Sequence, residues 1–537
     1  DNGILQASLL SLNWSQGTVV IECGAQPPET LSMLPDEFVN AAVIADALRE
    51  HVSSIIAAPQ QRFAFTEILA RSSPVLVGRP DQFLERMHEE LGPMGTAIEA
   101  VQKLNTSYLC VQGPPGTGKT YTGARCISAL VRQRRRVGIL AVSHKAIVNL
   151  MKGVFKAMAE DKSDGTNSVA IKLGGNDGDF EELQALCESL FESSNFKVSV
   201  KLMKNAKALL KAGVKDDYVI IGGTAWAFSA KGMTDKIDVL FVDEAGQLPL
   251  AHLAGAARSA KSVVLLGDQM QLPAPSEGHH PGDSGNSCLD YLLRGIECVP
   301  PSLGVFLPTT YRMHPQLCSV VSSLSYRGLL QPHSSTASRV IDLQSSTDNH
   351  ANAHSQYLTR GAGVVFVPVA HTGNKHASRE EADVIYSMCV QLLQASVVEG
   401  SSRRHMEAND ILVVAPYNLQ VRLLESILPA GVRVGTVDRF QGQEALVVLV
   451  SLCHSDFDNV PQELQKIVPG LGNDESGGTA IVVRQAVGGS RGLSFVLNQN
   501  RLNVALSRAQ CLAVVVGSPR LADTSPKTLE QQSQLNT

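Results

Sequence analysis

No apolar stretch in this 537-residue chain is long enough to cross a bilayer. The longest apolar runs, Ala445–Cys453 and Cys511–Gly517, fall far short of the roughly 20 residues a membrane helix needs, which excludes a transmembrane helix. Cysteine pairs at two-residue spacing are also missing. The ten cysteines stand singly, so a Cys-based zinc or iron–sulfur site has no support and a reducing cytoplasm is the expected compartment. Positive charge is not in excess: Lys and Arg number 46 against 51 Asp and Glu, a formal net charge of −5, so a polyanion must be met by a local surface. There is no internal repeat, no low-complexity tract, and no basic segment followed by an apolar one at the start. The first residue is Asp1 and not methionine, and the expectation is a processed or partial product.

What is present is a globular composition, 44% apolar and 18% charged with 44 Gly and 25 Pro. The length suits about three or four domains. Short β-branched runs alternate with helical stretches, the pattern of parallel sheets covered by helices on both faces, so the expected fold class is α/β. The first block of strands is expected at Tyr108–Val111, Val137–Val142, Val219–Ile221, Val239–Val242 and Val263–Leu266, and the second at Val364–Val367, Ile411–Val414, Val432–Val434, Leu446–Leu452 and Leu512–Val516. Between them, Gly267 to about Pro308 is rich in Pro, Gly and Ser and reads as loop and linker.

The divisions that follow are an accessory region at 1–73, a first domain at 74–303, a second at 304–525 and a tail at 526–537. The accessory region carries a strand pattern at Gly17–Cys23, a helical one at Asp36–Ile56 and a partial-barrel or stalk character. An insertion at about 160–217 is expected to be helical. Its lysines 197, 201, 204, 207, 211 and 215 would share about a third of one helix circumference, either as a solvated face or as a phosphate-tracking surface.

Gly113-Pro-Pro-Gly-Thr-Gly-Lys-Thr120 follows an apolar strand and precedes a helical run, the setting a P-loop requires. Gly113, Pro114, Gly116, Thr117 and Gly118 let backbone amides curl around phosphates, Lys119 reaches the β/γ oxygens, Thr120 offers its hydroxyl to Mg²⁺, and Tyr121 opens the helix beside the nucleotide. In Val239-Leu-Phe-Val-Asp-Glu-Ala245 a buried strand delivers two carboxylates to its C-terminal edge. Asp243 is the candidate for holding Mg²⁺ through water and Glu244 for accepting the proton of an attacking water. This pairing indicates nucleotide hydrolysis, not its purpose. The second block has no P-loop of its own and is expected to close over the first block's nucleotide.

Six further segments, in order, resemble motifs of superfamily 1 helicases, in the branch of the up-frameshift RNA helicase and the replication helicase–nucleases. They are Leu140-Ala-Val-Ser-His-Lys-Ala146, Gly267-Asp-Gln-Met-Gln-Leu-Pro273, Thr310-Tyr-Arg-Met-His-Pro315, Val414-Ala-Pro-Tyr-Asn418, Gly435-Thr-Val-Asp-Arg-Phe-Gln-Gly-Gln-Glu444 and Arg501-Leu-Asn-Val-Ala-Leu-Ser-Arg508. Gly223-Thr-Ala-Trp226 and Arg501–Arg508 further resemble bacterial proteins in which such a helicase follows a RecB-like nuclease, so a nuclease module or partner N-terminal to this chain is an expectation.

The resemblance implies two tandem RecA-like domains that share one ATP. Arg312 and Arg508 would meet the γ-phosphate, Gln271 would sense it, Tyr311 would stack on adenine, and Gly442 and Glu444 would contact phosphate and ribose. Where the family carries an adenine-reading glutamine this chain has Thr96, which leaves adenine selectivity open. Ser143, His144 and Thr224 in the first domain, with Asn418 and Thr436 in the second, resemble positions that contact a nucleic-acid backbone without reading sequence. Trp226 and Phe228 are candidates for stacking on bases or for the core.

The function expected is an ATP- and Mg²⁺-dependent 5′→3′ translocase or helicase on single-stranded nucleic acid or a tailed duplex, with DNA favoured over RNA and no membrane partner. The alternatives are a non-processive ATP switch that clamps nucleic acid and, less favoured, a P-loop phosphotransferase. His279, His280 and Asp283 lie in a Gly/Pro/Ser loop and lack a convincing metal-ligand set. The basic run Arg132, Arg134, Arg135 and Arg136 reads as a solvated helix end.

Overall fold

The structure is a computed structural model that describes residues 7–13, 18–24, 40–78, 83–161, 168–192, 198–214, 218–274, 280–343, 358, 360–455 and 496–523. It divides into a small unit at 1–42 and a large one at 43–537. In the small unit, Ala7–Asn13 and Thr18–Cys23 form an antiparallel hairpin. Lys197, Lys215, His279 and the expected tail lie outside the described residues.

The large unit holds two parallel sheets in tandem. The first lobe's strands are β1 (Tyr108–Gln112), β2 (Val137–Leu140), β3 (Ser168–Leu173), β4 (Val198–Met203), β5 (Tyr218–Gly223), β6 (Ile237–Val242), β7 (Ala260–Gly267) and β8 (Gly304–Phe306). They lie in the order β8-β1-β7-β6-β2-β5-β3-β4, with every neighbour parallel. The second lobe's strands are β9 (Gly363–Pro368), β10 (Ile411–Val414), β11 (Arg433–Gly435), β12 (Ala445–Ser451) and β13 (Ala509–Gly517), in the order β9-β13-β12-β10-β11 and again all parallel. Each sheet has apolar clusters on both faces, which is why the strands read as continuous Val/Ile/Leu runs without alternation.

Helices α1 (Lys119–Arg132), α2 (His144–Glu160), α3 (Asp177–Phe191) and α4 (Ala206–Ala212) belong to the first lobe. Helices α5 (Pro315–Ser325) and α6 (Gln499–Ser507) belong to the second. The chain leaves β1, β2, β3 and β4 at their C-terminal ends into α1, α2, α3 and α4, and β10 likewise into the helix Asn418–Ile427, so these motif loops gather along the C-terminal edge of each sheet.

Four sequence expectations need correction. The insertion at 160–217 is not helical: it is β3-α3-β4-α4, two strands and two helices that widen the first sheet at its edge. Lys201 therefore lies on β4, Lys204 just beyond it, and Lys207 and Lys211 on α4, so the lysines share no single helix face. The helical spacing was coincidental; Val198, Val200 and Leu202 alternate with polar residues at the period of a strand.

The accessory boundary at 73 is also too late. Phe65 and Ile68, on the helix Ala64–Ala70, are buried in the same cluster as Tyr108 and Val263 of the first sheet. Conversely, β8 at 304–306 was assigned to the second domain, yet it pairs with β1 in the first sheet. Lastly, the supposed linker from Gly267 to Pro308 contains the helix Cys288–Leu293, whose buried Leu289 and Leu292 join the first lobe's core.

Candidate active site

The P-loop's shape follows from its glycines. Gly116 and Gly118 adopt φ of +75° and +79°, left-handed conformations open to glycine, and the chain then enters α1 at Lys119. Gly113 donates its N–H to the carbonyl of Gly267 over 2.9 Å, tying the loop to the end of β7. Thr117 closes the turn, donating from its hydroxyl to the Pro114 carbonyl over 2.8 Å.

Asp243 and Glu244 follow β6 directly. Lys119 Nζ lies 3.0 Å from Glu244 Oε2. Burial works against the Lys119 charge, but Glu244, Asp243 and Asp268 together outweigh it and hold the ammonium protonated above its ordinary range. Asp243 is buried and accepts the Glu244 N–H over 3.0 Å. Burial, opposed by Lys119 and reinforced by Glu244, pushes its carboxyl up to about 6. A buried carboxylate oxygen on Asp243, with the Thr120 hydroxyl at the start of α1 and Lys119 at the P-loop, has the hard-oxygen and cation chemistry that suits a magnesium–triphosphate. Among the described residues no group of three or more His, Cys, Asp or Glu converges to hold a metal by itself.

The second lobe reaches this site directly. Thr310 Oγ1 donates to the Pro115 carbonyl over 2.9 Å, and the Tyr311 N–H donates to the Gly116 carbonyl over 2.9 Å. A Cβ placed on Gly116 would come within 2.5 Å of Arg312 Cβ, so the arginine's backbone packs on the phosphate loop. Arg312 Nε donates to Glu444 Oε2 over 2.5 Å and its Nη1 to the Ser507 carbonyl over 3.0 Å. The other Glu444 oxygen accepts from Gln510 over 2.8 Å, so in this arrangement Glu444 anchors Arg312.

Arg508 is only 2% exposed. Its Nε and Nη1 donate to the carbonyls of Val504 and Gln443, and among the described residues no carboxylate comes within ion-pair distance. Burial, then the like charge of Arg312, drives its guanidinium down to about 9, with Tyr326, Glu244 and Glu444 opposing. Because a guanidinium keeps its proton at ordinary pH, Arg508 remains a buried positive charge that these groups offset only in part.

Gln271 donates to Asp268 Oδ2 over 2.9 Å, and its own carbonyl accepts from Asn500 on α6. It therefore sits where the lobes meet. Tyr311 is 57% exposed with its ring 4.6 Å from His333, leaving a broad aromatic surface beside the P-loop. Tyr121 is also exposed, under the guanidinium of Arg125. Gly442 has a φ of +81° and lies on the surface. Thr96 is fully buried in a helical run broken at Gly92, with its hydroxyl donating to the Gly92 carbonyl over 2.7 Å.

The residues expected to meet nucleic acid line the C-terminal edges of the two sheets. Ser143 caps α2, accepting from the Ala146 N–H over 3.2 Å. Thr224 precedes a short helix without capping it through its side chain. Asn418 opens the helix after β10 and is exposed, and Thr436 follows β11, the neighbouring strand. Phe228 is fully buried core, and Trp226 packs on the same cluster with its ring 5.5 Å from His252, so neither is an open stacking platform.

Sequence reading left Asp268, Tyr326 and Asn503 without roles. The first and last lie inside quoted motifs, and only the buried polar network that joins them gives them one.

Residues 95–284 and 289–520 match two AAA domain family profiles, one per lobe. Together with the relatives that follow, these matches support a superfamily 1 helicase of the Dna2 and up-frameshift type. The chain is 24% identical over 457 residues to the "DNA replication ATP-dependent helicase/nuclease dna2" of Schizosaccharomyces pombe, a match that covers 81% of this chain and 28% of that protein. It is 25% identical to the "DNA-binding protein SMUBP-2" of Mesocricetus auratus, covering 67% of this chain and 40% of the relative. It is also 25% identical to the "ATP-dependent helicase NAM7" of Saccharomyces cerevisiae, covering 76% and 40%. The chain thus spans less than half the length of these relatives.

Proposed function

We propose that the chain is an ATP-driven translocase that moves 5′→3′ along single-stranded nucleic acid, DNA in preference to RNA, and unwinds tailed duplexes. The observation that carries this reading is Arg508: a buried guanidinium with no carboxylate within ion-pair distance among the described residues, on the opposite lobe from Lys119 and Glu244. A γ-phosphate between the lobes supplies the anion that this charge lacks. Positive charge placed where the transition state concentrates negative charge accelerates hydrolysis by about 10³–10⁵.

The Lys119–Glu244 pair is the resting arrangement. Phosphate oxygens draw Lys119 away and free Glu244 to accept the proton of the attacking water, whose oxygen bonds to the γ-phosphorus as the bond to the bridging oxygen breaks and its electron pair leaves with ADP. Thr120 and Asp243 would hold Mg²⁺, which supplies positive charge beside the β- and γ-oxygens. Because Arg312 and Arg508 come from the second lobe, turnover is coupled to closure, and alternating grip at the two sheet edges converts closure into movement. A nuclease activity in a longer parent protein would act on the strand this motor delivers.

Strand displacement tests the reading. Unwinding of a 5′-tailed duplex and not of a 3′-tailed one supports it, and the reverse polarity contradicts it. Strand-stimulated hydrolysis without displacement of a blocking strand replaces the motor with an ATP-dependent clamp. Matched DNA and RNA single strands, compared as activators of hydrolysis, decide the preferred polymer.

A further inference from the structure

Lys172 is the second-last residue of β3, in the inserted part of the first sheet, and its side chain is 0% exposed. A buried ammonium ordinarily has a carboxylate partner. This one has none within ion-pair distance among the described residues; it touches His144 Nδ1 at 2.8 Å and the Gly174 carbonyl at 2.8 Å. Asp179 supplies only longer-range attraction. His144 is the first residue of α2, half-exposed at the C-terminal edge of β2.

The turn after β3 is shaped around this contact. Gly174 and Gly175 adopt φ of +68° and +91°. A Cβ on Gly175 would come within 2.8 Å of Lys172 Nζ and 3.4 Å of His144 Cγ, and one on Gly174 within 3.3 Å of His144 Cε1. Two glycines thus leave room for the imidazole to lie over the lysine.

We infer that Lys172 is a positioning residue for nucleic-acid binding: its ammonium occupies Nδ1 of His144, which fixes the imidazole as the Nε2–H tautomer and presents that N–H to a phosphodiester oxygen of the bound strand. An ammonium only donates, so Nδ1 must accept and the ring proton must lie on Nε2. Burial and the neighbouring Lys172 charge both hold the His144 imidazole below its ordinary range, so the neutral tautomer is the working form. The insertion thereby does more than widen the sheet; it supplies the group that orients a motif residue two strands away. This inference rests on the proposed nucleic-acid track and adds a residue to it.

The test measures binding of fluorescein-labelled oligothymidylate to the full chain by anisotropy, for wild type, Lys172→Met, His144→Ala and the double variant. His144→Ala and Lys172→Met are each expected to weaken binding by about tenfold or more, the loss of a hydrogen bond to a charged group. The double variant should be no worse than His144→Ala, because Lys172 acts through His144. Nitrogen-15 spectra of the histidine-labelled protein should show the Nε2–H tautomer for His144 in wild type and its loss in Lys172→Met, a change that a purely structural lysine would not produce. Additive losses, an Nδ1–H tautomer in wild type, or variants that bind as wild type does would each overturn the inference. Wild-type protein that ignores the oligonucleotide would instead remove the nucleic-acid reading, and the inference with it.

Discussion

The Tyr326 hydroxyl of the second lobe donates to the Asp268 carboxylate of the first over 2.7 Å, and accepts from Asn503 Nδ2 over 2.8 Å. Asp268 also accepts from Gln271 and Gln112, and Asn503 donates to the Met270 carbonyl. One buried network thus links the loop of Gln271 to α6, the helix capped at its C-terminus by Arg508. Burial raises the Asp268 carboxyl, an effect opposed by hydrogen bonds from Gln271, Tyr326 and Gln112, so each donor matters to its charge.

Tyr326→Phe deletes one hydroxyl from this network and leaves Asp268 a donor short. The expected cost is about 1–3 kcal/mol of stability, seen as a lower urea midpoint, together with a lower kcat for ATP because Asp268, the hydrogen-bond partner of Gln271, is held by one donor fewer. Unchanged stability and turnover would show that the two lobes do not depend on this contact.

Lys119→Ala and Glu244→Gln should separate binding from chemistry. The first removes the phosphate cation and should abolish measurable binding of a fluorescent ATP analogue. The second keeps the loop intact and should retain binding while reducing turnover by about 10²-fold or more, the usual contribution of a general base. Near-wild-type hydrolysis by Glu244→Gln would assign the base elsewhere.

Arg508→Ala removes a desolvated charge whose hydrogen bonds, among the described residues, go to backbone carbonyls. The melting temperature should move little, because the lost hydrogen bonds are offset by relief of the buried charge. Turnover should fall by about 10³-fold or more. A collapsed melting temperature with proportionate loss of activity would mark a structural arginine.

The pH profile should report Asp243. Its carboxyl, raised to about 6 in the folded protein against an ordinary 3.8, takes up a proton as pH falls through 6 and then no longer serves a cation. kcat/KM for ATP should therefore decline below about pH 6. The stability effect has the opposite sign. The buried charge costs stability in full above pH 6, and that cost disappears as pH falls toward the unfolded value. A rate profile flat to pH 5 would contradict the assignment.

Sequence alone determined the chemistry that depends on short-range geometry. Glycines at 116 and 118 are where φ is positive, Lys119 opens a helix, and Asp243 and Glu244 end a buried strand; each is legible because neighbouring residues dictate the local backbone. Five of the eight strands of the first sheet and all five of the second were legible for the same reason, since burial on two faces leaves continuous apolar runs, whereas β3, β4 and β8 were not. The insertion was misread because lysine spacing fits a helix as well as an exposed sheet edge, and only pairing of β4 with β3 chooses between them. Likewise, nothing local in Thr96 reveals that its hydroxyl turns back to Gly92, and nothing in Lys172, Asp268 or Tyr326 names partners 28 or 58 residues away. Those contacts are made by sheet order and lobe approach. The tertiary structure alone decided them, because a buried polar group takes whatever partner the packed chain brings within hydrogen-bonding distance.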